Sequence, residues 1–164
     1  MAAMSPSTRP DPGPLPGPFT GPDGVLSRVR IGAYAWAERD GHVLLSRMAP
    51  KTKGAGSWVM PGGGVSFGED PADAVLRELE EETGLEGELG EVLGVRSALL
   101  QPHEVPSGHR IHVIGILYRV TITGGELRDE QGGSTDHAEW IPLADLPTIP
   151  AMSLLDWARG VVGR

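Results

Sequence analysis

The alternation of apolar and polar positions becomes regular only after residue 24. Residues 28–38 and 42–48 carry strand-like runs, and Asp40-Gly41 between them suits the tight turn of a hairpin. Trp58, Val59 and Met60 predict a short apolar strand that stops at Pro61 and three consecutive glycines. From 71 to 83 the period lengthens: on a helical wheel Ala72, Val75, Leu76 and Leu79 share one side, which predicts a helix packed on a core. Its punctuation agrees, with Asp70 as cap, Pro71 at the first position and Gly84 at the end. Strands follow at about 88–101 and 109–123, and Ile111 to Val120 is mostly apolar on both alternations, as expected for a strand covered on two faces. A further short strand surrounds Trp140, and Leu154, Leu155, Ala158, Val161 and Val162 repeat at helical spacing. One sheet with helices on both faces, an α/β domain over residues 25–164, is the expected fold.

Composition adds boundaries. Residues 1–24 hold seven of the fifteen prolines and four glycines, the make-up of an extended or disordered tail with nothing to bury. A total of 164 residues suits one domain. No apolar run approaches the length of a membrane span, and the N-terminus lacks the basic-then-apolar pattern of a signal peptide. The chain has no cysteine, which removes disulfide and thiolate chemistry and makes a cytoplasmic setting the expectation. A net charge of -8 argues against gripping duplex nucleic acid, which needs clustered Lys and Arg.

The acidic excess is local. Glu69, Asp70, Asp73, Glu78, Glu80, Glu81 and Glu82 lie within fourteen residues. An ordinary acidic run is a solvated helix face, but here Glu78, Glu81 and Glu82 fan out beside the apolar stripe, while Asp73 and Glu80 point to solvent. Carboxylates three and four apart repel one another, and the single guanidinium of Arg77 cannot neutralise three of them. A hard divalent cation can. Magnesium takes a few carboxylates together with substrate phosphate oxygens, and a bound ion lets an acidic protein hold a polyphosphate. The Gly62-Gly63-Gly64 triplet by itself marks a turn. Leading toward the carboxylates, it also allows backbone to approach a metal or phosphate closely.

Gly63, five residues, Glu69, seven residues, then Arg77-Glu78-Leu79-Glu80-Glu81-Glu82-Thr83-Gly84-Leu85 resembles the signature of the Nudix hydrolase superfamily, with all nine fixed positions filled. Trp58 ahead of the glycines and Trp140-Ile141-Pro142-Leu143 extend the resemblance over about 28–162. The resemblance implies an α/β/α sandwich with a mixed sheet. It also implies Mg2+, or Mn2+ in its place, held by Glu81 and Glu82, with Glu78 as a further ligand or base and the Gly62 carbonyl as another ligand. Arg77 and Glu69 would orient those carboxylates. The implied reaction is attack of water on a pyrophosphate bridge of a nucleoside diphosphate derivative, a task of positioning and charge neutralisation.

One position departs from the pattern. Where some family members carry an additional Glu six residues before the tryptophan, this chain has Ser134, and Glu130 or Asp136 is the expected substitute, with Glu139 also near. Arg47, Lys51 and Lys53 are candidate phosphate contacts, or simply a solvated basic loop. Tyr34 and Trp58 are candidates to stack on a base, with buried packing the better reading for Trp58. His109 and His112 are three apart on a strand, so they face opposite ways and do not share an ion. A nucleoside triphosphate is the expected substrate. ADP-ribose or a nucleotide sugar is the alternative, and a nucleotide-sensing module that does not cut is a third reading. The intact glutamates argue against the last. A monomer or a homodimer is expected.

Overall fold

The computed structural model describes residues 19–105 and 107–164. The first strand, β1 (Phe19–Thr20), pairs antiparallel with β2 (Leu26–Trp36), so the last residues of the expected tail belong to the fold. Gly21 N–H donates to the Val25 carbonyl and Arg110 pairs with Asp23, which closes this small hairpin. Residues 1–18, the rest of that tail, lie outside the described residues.

After β2 the chain passes Ala37 into β3 (Glu38–Arg39) and turns into β4 (His42–Met48). Asp40 and Gly41 both have positive φ, 51° and 75°, as a type I′ turn requires, so the two-residue hairpin forms as the dipeptide predicts. Then come β5 (Trp58–Val59), β6 (Gly62–Gly64), α1 (Pro71–Thr83), β7 (Leu85–Leu100), β8 (Arg110–Gly125), β9 (Thr135–Pro142) and α2 (Ser153–Val162). No helix among the described residues is long and apolar enough to cross a membrane.

The strands form two hydrogen-bonded sheets rather than the single one expected. One runs β1-β2-β8-β7, with β6 also on β2; the other runs β3-β4-β5, with β9 also on β4. The reason lies at Ala37, where β2 gives way to β3: one length of chain serves both sheets, and the Ala37 carbonyl accepts from Leu44 N–H across the break. The first sheet is mixed, since β2 and β8 are parallel and its other pairs antiparallel. Helices cover both sides. Ala74, Val75 and Leu79 of α1 pack on Ala33, Ala35 and Val120, and Leu155 and Ala158 of α2 share a core with Trp36, Leu117 and Leu45.

Coverage is incomplete. Along β8, Leu117, Tyr118 and Val120 are buried, whereas Ile111, Val113, Ile114 and Ile116 are only half-buried, so the two-sided burial expected of this strand holds in its second half alone. On the α1 side, Val29, Ile31, Val95 and Leu99 stay exposed, because α1 ends its contact at Ala33 and Ile116.

Candidate active site

Helix α1 starts where its cap chemistry dictates. The Asp70 carboxylate accepts from Ala72 N–H at 2.8 Å, Pro71 opens the helix, and Gly84 ends it with φ 70°, its N–H donating to the Glu80 carbonyl. The buried face is Ala74, Val75, Leu79, Glu82 and Thr83, so Ala74 takes the place the wheel assigned to Ala72. Asp73 and Glu80 are exposed, as the wheel has them. The remaining glutamates are graded: Glu81 is half exposed (53% of its side chain), Glu78 is largely covered (17%), and Glu82 is buried, with 2% of the residue exposed.

Facing these carboxylates is the glycine strand β6. Gly62 N–H donates to Glu82 Oε2 at 3.2 Å. Gly62 has φ 146°, and a Cβ there would sit 2.3 Å from the Ala33 carbonyl oxygen. A Cβ on Gly63 would lie 2.7 Å from the Glu78 carboxylate, so the first two glycines are needed for this approach and do more than make a turn. Arg77 acts as the local hub. Its Nε and Nη2 hold Glu69 at 2.8 and 3.0 Å, Nη1 reaches Glu78 at 2.9 Å and Glu81 at 3.3 Å, and Nη2 also donates to the Gly64 carbonyl at 3.3 Å. The paired guanidinium lowers the Glu69 carboxyl to about 2, helped by the Ser66 N–H.

Among the described residues no cation pairs with Glu82 in this way. Burial pushes its pKa up to about 8, and the like charges of Glu130 and Glu78 add to the rise against the Gly62 N–H. The Ser46 hydroxyl, itself fully buried and without a well-formed hydrogen bond, lies beside Glu82 and favours its ionised form. A buried carboxylate ringed by other carboxylates is costly unless a cation joins it. With Arg77 pulling Glu78 and Glu81 toward itself, no three acidic or histidine side chains among the described residues close around a point. The donor set is all oxygen, and its most buried member lacks a counter-charge, which fits a hard divalent ion.

The two substitutes for the missing glutamate separate. Glu130 lies near enough to Glu82 to influence its titration, and one oxygen, Oε2, accepts from Thr135 N–H at 3.0 Å and Thr135 Oγ1 at 2.8 Å. Asp136 is bound to Arg47 Nε at 2.8 Å, and Glu139 stands 3.4 Å from His137. The same pairing engages Arg47. Lys53 donates to the Glu104 carbonyl and Lys51 is an exposed loop residue. Trp58 is buried in the α2-side core. Tyr34, whose phenol burial raises its pKa, lies beside β6; on the same face of the sheet Arg30 reaches Gly64 of that strand, while the Arg96 stem lies over Gly115 of β8. Their placement follows from strand register, which no local pattern announces.

A family model described as the NUDIX domain matches residues 26–159, and the chain belongs to this family. It is 37% identical over 112 residues to an ADP-ribose pyrophosphatase of Methanocaldococcus jannaschii, a match covering 68% of this chain and 61% of that protein. It is 32% identical over 127 residues to a human diphosphoinositol polyphosphate phosphohydrolase 3-alpha, covering 76% of this chain and 68% of the relative. The matched stretch thus spans about three fifths to two thirds of these relatives' length. The crystal structure of a MutT NUDIX hydrolase from Burkholderia pseudomallei superposes with a TM-score of 0.69 at 30% identity, covering 82% of this chain and 98% of that one.

Proposed function

We propose that the protein is a divalent-metal-dependent pyrophosphohydrolase that cuts the phosphate–phosphate linkage of a nucleoside diphosphate derivative, with a nucleoside triphosphate as substrate. The observation that carries this reading is Glu82: a buried carboxylate without an ion-pair partner among the described residues, held by the backbone of a glycine strand and within reach of the charges of Glu78 and Glu130. Glu82, Glu81, Glu78 and the Gly62 carbonyl would hold Mg2+, with Mn2+ as a substitute. When bound, the ion supplies Lewis-acid neutralisation of the pyrophosphate oxygens.

The chain's own groups supply the rest. Arg77 keeps Glu69, Glu78 and Glu81 in one array, which fixes their orientation before substrate arrives. Gly63, with no side chain, lets the Glu78 carboxylate close on β6, where it would meet the ion and the substrate oxygens together. Glu130, whose Oε2 accepts from Thr135 and whose Oε1 lies against Gly133, would take a proton as water oxygen attacks phosphorus and the bridging P–O bond breaks. Asp136, fastened to Arg47, is the weaker choice for that proton.

ADP-ribose is the second reading, favoured by the 37% identity to a relative of that name. A panel of nucleoside triphosphates, dinucleotides and nucleotide sugars, with Mg2+ and with released phosphate or pyrophosphate as readout, tests both. Turnover that disappears with chelator and returns with Mg2+ or Mn2+ is expected. Full turnover in metal-free buffer would overturn the mechanism, and tight nucleotide binding without hydrolysis would make the protein a sensor.

A further inference from the structure

Glu130 stands on the link between β8 and β9, and its neighbour Asp129 is fastened to the same strand by a different route. Glu130 Oε2 accepts from Thr135 N–H at 3.0 Å and from Thr135 Oγ1 at 2.8 Å. Asp129 Oδ1 accepts from Ala138 N–H at 3.0 Å and lies 2.9 Å from His137 Nδ1. A bulge makes this double grip possible. Met48 is level with Thr135 and Arg47 with His137, so Asp136 is an extra residue in β9. Met48 and Arg47 are adjacent on β4 and project to opposite faces, and their partners project with them. Thr135 and His137 therefore point opposite ways, although residues two apart on a regular strand share a face. Their exposure agrees: Thr135 is buried and His137 is half-exposed. Two adjacent carboxylates thus close on the strand from both sides.

Further contacts turn the grip into a seat. Arg128 N–H donates to the Thr83 carbonyl at 2.9 Å and Ala49 N–H donates to the Ser134 carbonyl at 3.0 Å, so the link is tied down on both sides of Glu130. Gly132 takes a positive φ of 77°, as a turn demands, but Gly133 does not. Gly133 is needed for space, because a Cβ there would fall on the Glu130 carboxylate itself. The seat has a physical purpose. Glu130 lies close enough to Glu82 for the two charges to oppose each other. A free glutamate side chain in that field would swing toward solvent, where it regains both hydration and rotamer freedom.

We infer that Asp129 and Gly133 are positioning residues that, with Thr135, hold Glu130 against the repulsion of the carboxylate cluster, where it accepts the proton of the attacking water. The inference rests on the pyrophosphohydrolase reading above, with Glu130 as proton acceptor, and deepens it. Both residues act through Glu130. Asp129 fixes the backbone from which Glu130 projects, and Gly133 leaves the volume that its carboxylate fills. A proton acceptor displaced by about 1 Å can cost a reaction ~100-fold, so the seat matters to rate far more than to stability.

The test combines kinetics with amide exchange. With Mg2+ and the best substrate of the panel, kcat and KM are measured for Glu130→Gln, Gly133→Ala, Asp129→Ala and Asp129→Asn. The Gly133 and Asp129 changes are then repeated on top of Glu130→Gln. Glu130→Gln should lose ~100-fold or more in kcat, the scale of a general base. Gly133→Ala and Asp129→Ala should each lose at least ~10-fold in kcat with KM within about twofold. Asp129→Asn, whose amide oxygen still accepts from Ala138 N–H, should keep most of the activity. On the Glu130→Gln background the same changes should alter kcat by less than about twofold, because the group they position is already gone. Hydrogen exchange followed by NMR reads the seat without substrate: Thr135 N–H should exchange faster in Gly133→Ala, and Ala138 N–H in Asp129→Ala. Melting temperatures should stay close to the parent's, since Gly133 and Asp129 are exposed. Full turnover by Gly133→Ala and Asp129→Ala beside a crippled Glu130→Gln would overturn the positioning role, as would equal losses on both backgrounds. Full turnover by Glu130→Gln would instead remove the proton-acceptor reading on which that role rests.

Discussion

Glu82 and Glu80 are two residues apart on one helix and carry the same formal charge, yet one is buried beside Gly62 and the other exposed. Changing each to glutamine removes a charge with little change of size. Glu82→Gln and Glu81→Gln should each lose about 100-fold or more in kcat, the scale of removing a key electrostatic group, whereas Glu80→Gln should be nearly silent. Steady-state kinetics on the best substrate of the panel checks this, and equal activity in all three variants would move the site elsewhere. The titration of Glu82 makes a second prediction. Its pKa rises from an ordinary 4.5 to about 8 on folding, so the fold favours the protonated acid. That stabilisation is complete below pH 4.5 and is lost as pH climbs toward 8, by about 1.4 kcal/mol per pH unit at most. Melts in chelator should therefore show stability falling between pH 5 and 8, and Glu82→Gln should flatten the slope. Glu69, lowered to about 2, acts only outside this window: its contribution is present above pH 4.5 and fades as pH falls toward 2.

Two glycines show how the same substitution diverges with the element that holds it. Gly63 lies in the edge strand β6, where a Cβ would press on the Glu78 carboxylate at 2.7 Å. Gly63→Ala should displace that glutamate and cost roughly 10- to 100-fold in activity, as for loss of a group that orients a metal ligand. Gly160 lies within α2, is exposed, and has nothing within 4 Å of a new Cβ. Gly160→Ala should add about 0.5–1 kcal/mol of stability with unchanged kinetics, because alanine loses less backbone freedom on entering a helix. A melting temperature lower than the parent's would contradict that account.

At the scale of the molecule, the crowded carboxylates tie stability to metal. α1 carries buried and half-buried negative charge against a strand with no side chains, so a divalent ion that binds the folded state alone should raise the melting temperature. Parent protein titrated with Mg2+ or Mn2+ should show a concentration-dependent rise in Tm, and Glu82→Gln should show little or none. Metal-independent melting of the parent, together with metal-dependent turnover, would place the ion mainly on substrate phosphates. The half-covered sheet also belongs to this scale. α1 reaches Ala33 and Ile116 but not Val29, Ile31, Val95 and Leu99, and the length of a thirteen-residue helix sets that limit.

Much of this was legible before any coordinates. The hairpin at Asp40-Gly41, the bounds of α1 from Asp70, Pro71 and Gly84, and the split between Glu82 and Glu80 all arise from interactions within a few residues, so period and cap residues determine them. The close approach of the glycines to the carboxylate helix was likewise legible, because its spacing is written in one continuous stretch. Tertiary structure decided what depends on distant partners. It divided the strands into two sheets at Ala37, drew residues 19–24 into the fold through Arg110 and β2, fastened Arg47 to Asp136, and set Glu130 rather than Asp136 beside Glu82. It also brought Arg30 to Gly64 and Arg96 to Tyr34 through the register of β2 with β6 and β8 and of β8 with β7. Strand register depends on which segments pair, and a shift of one residue turns every side chain to the other face. That pairing is a property of the whole chain, and no window of sequence contains it.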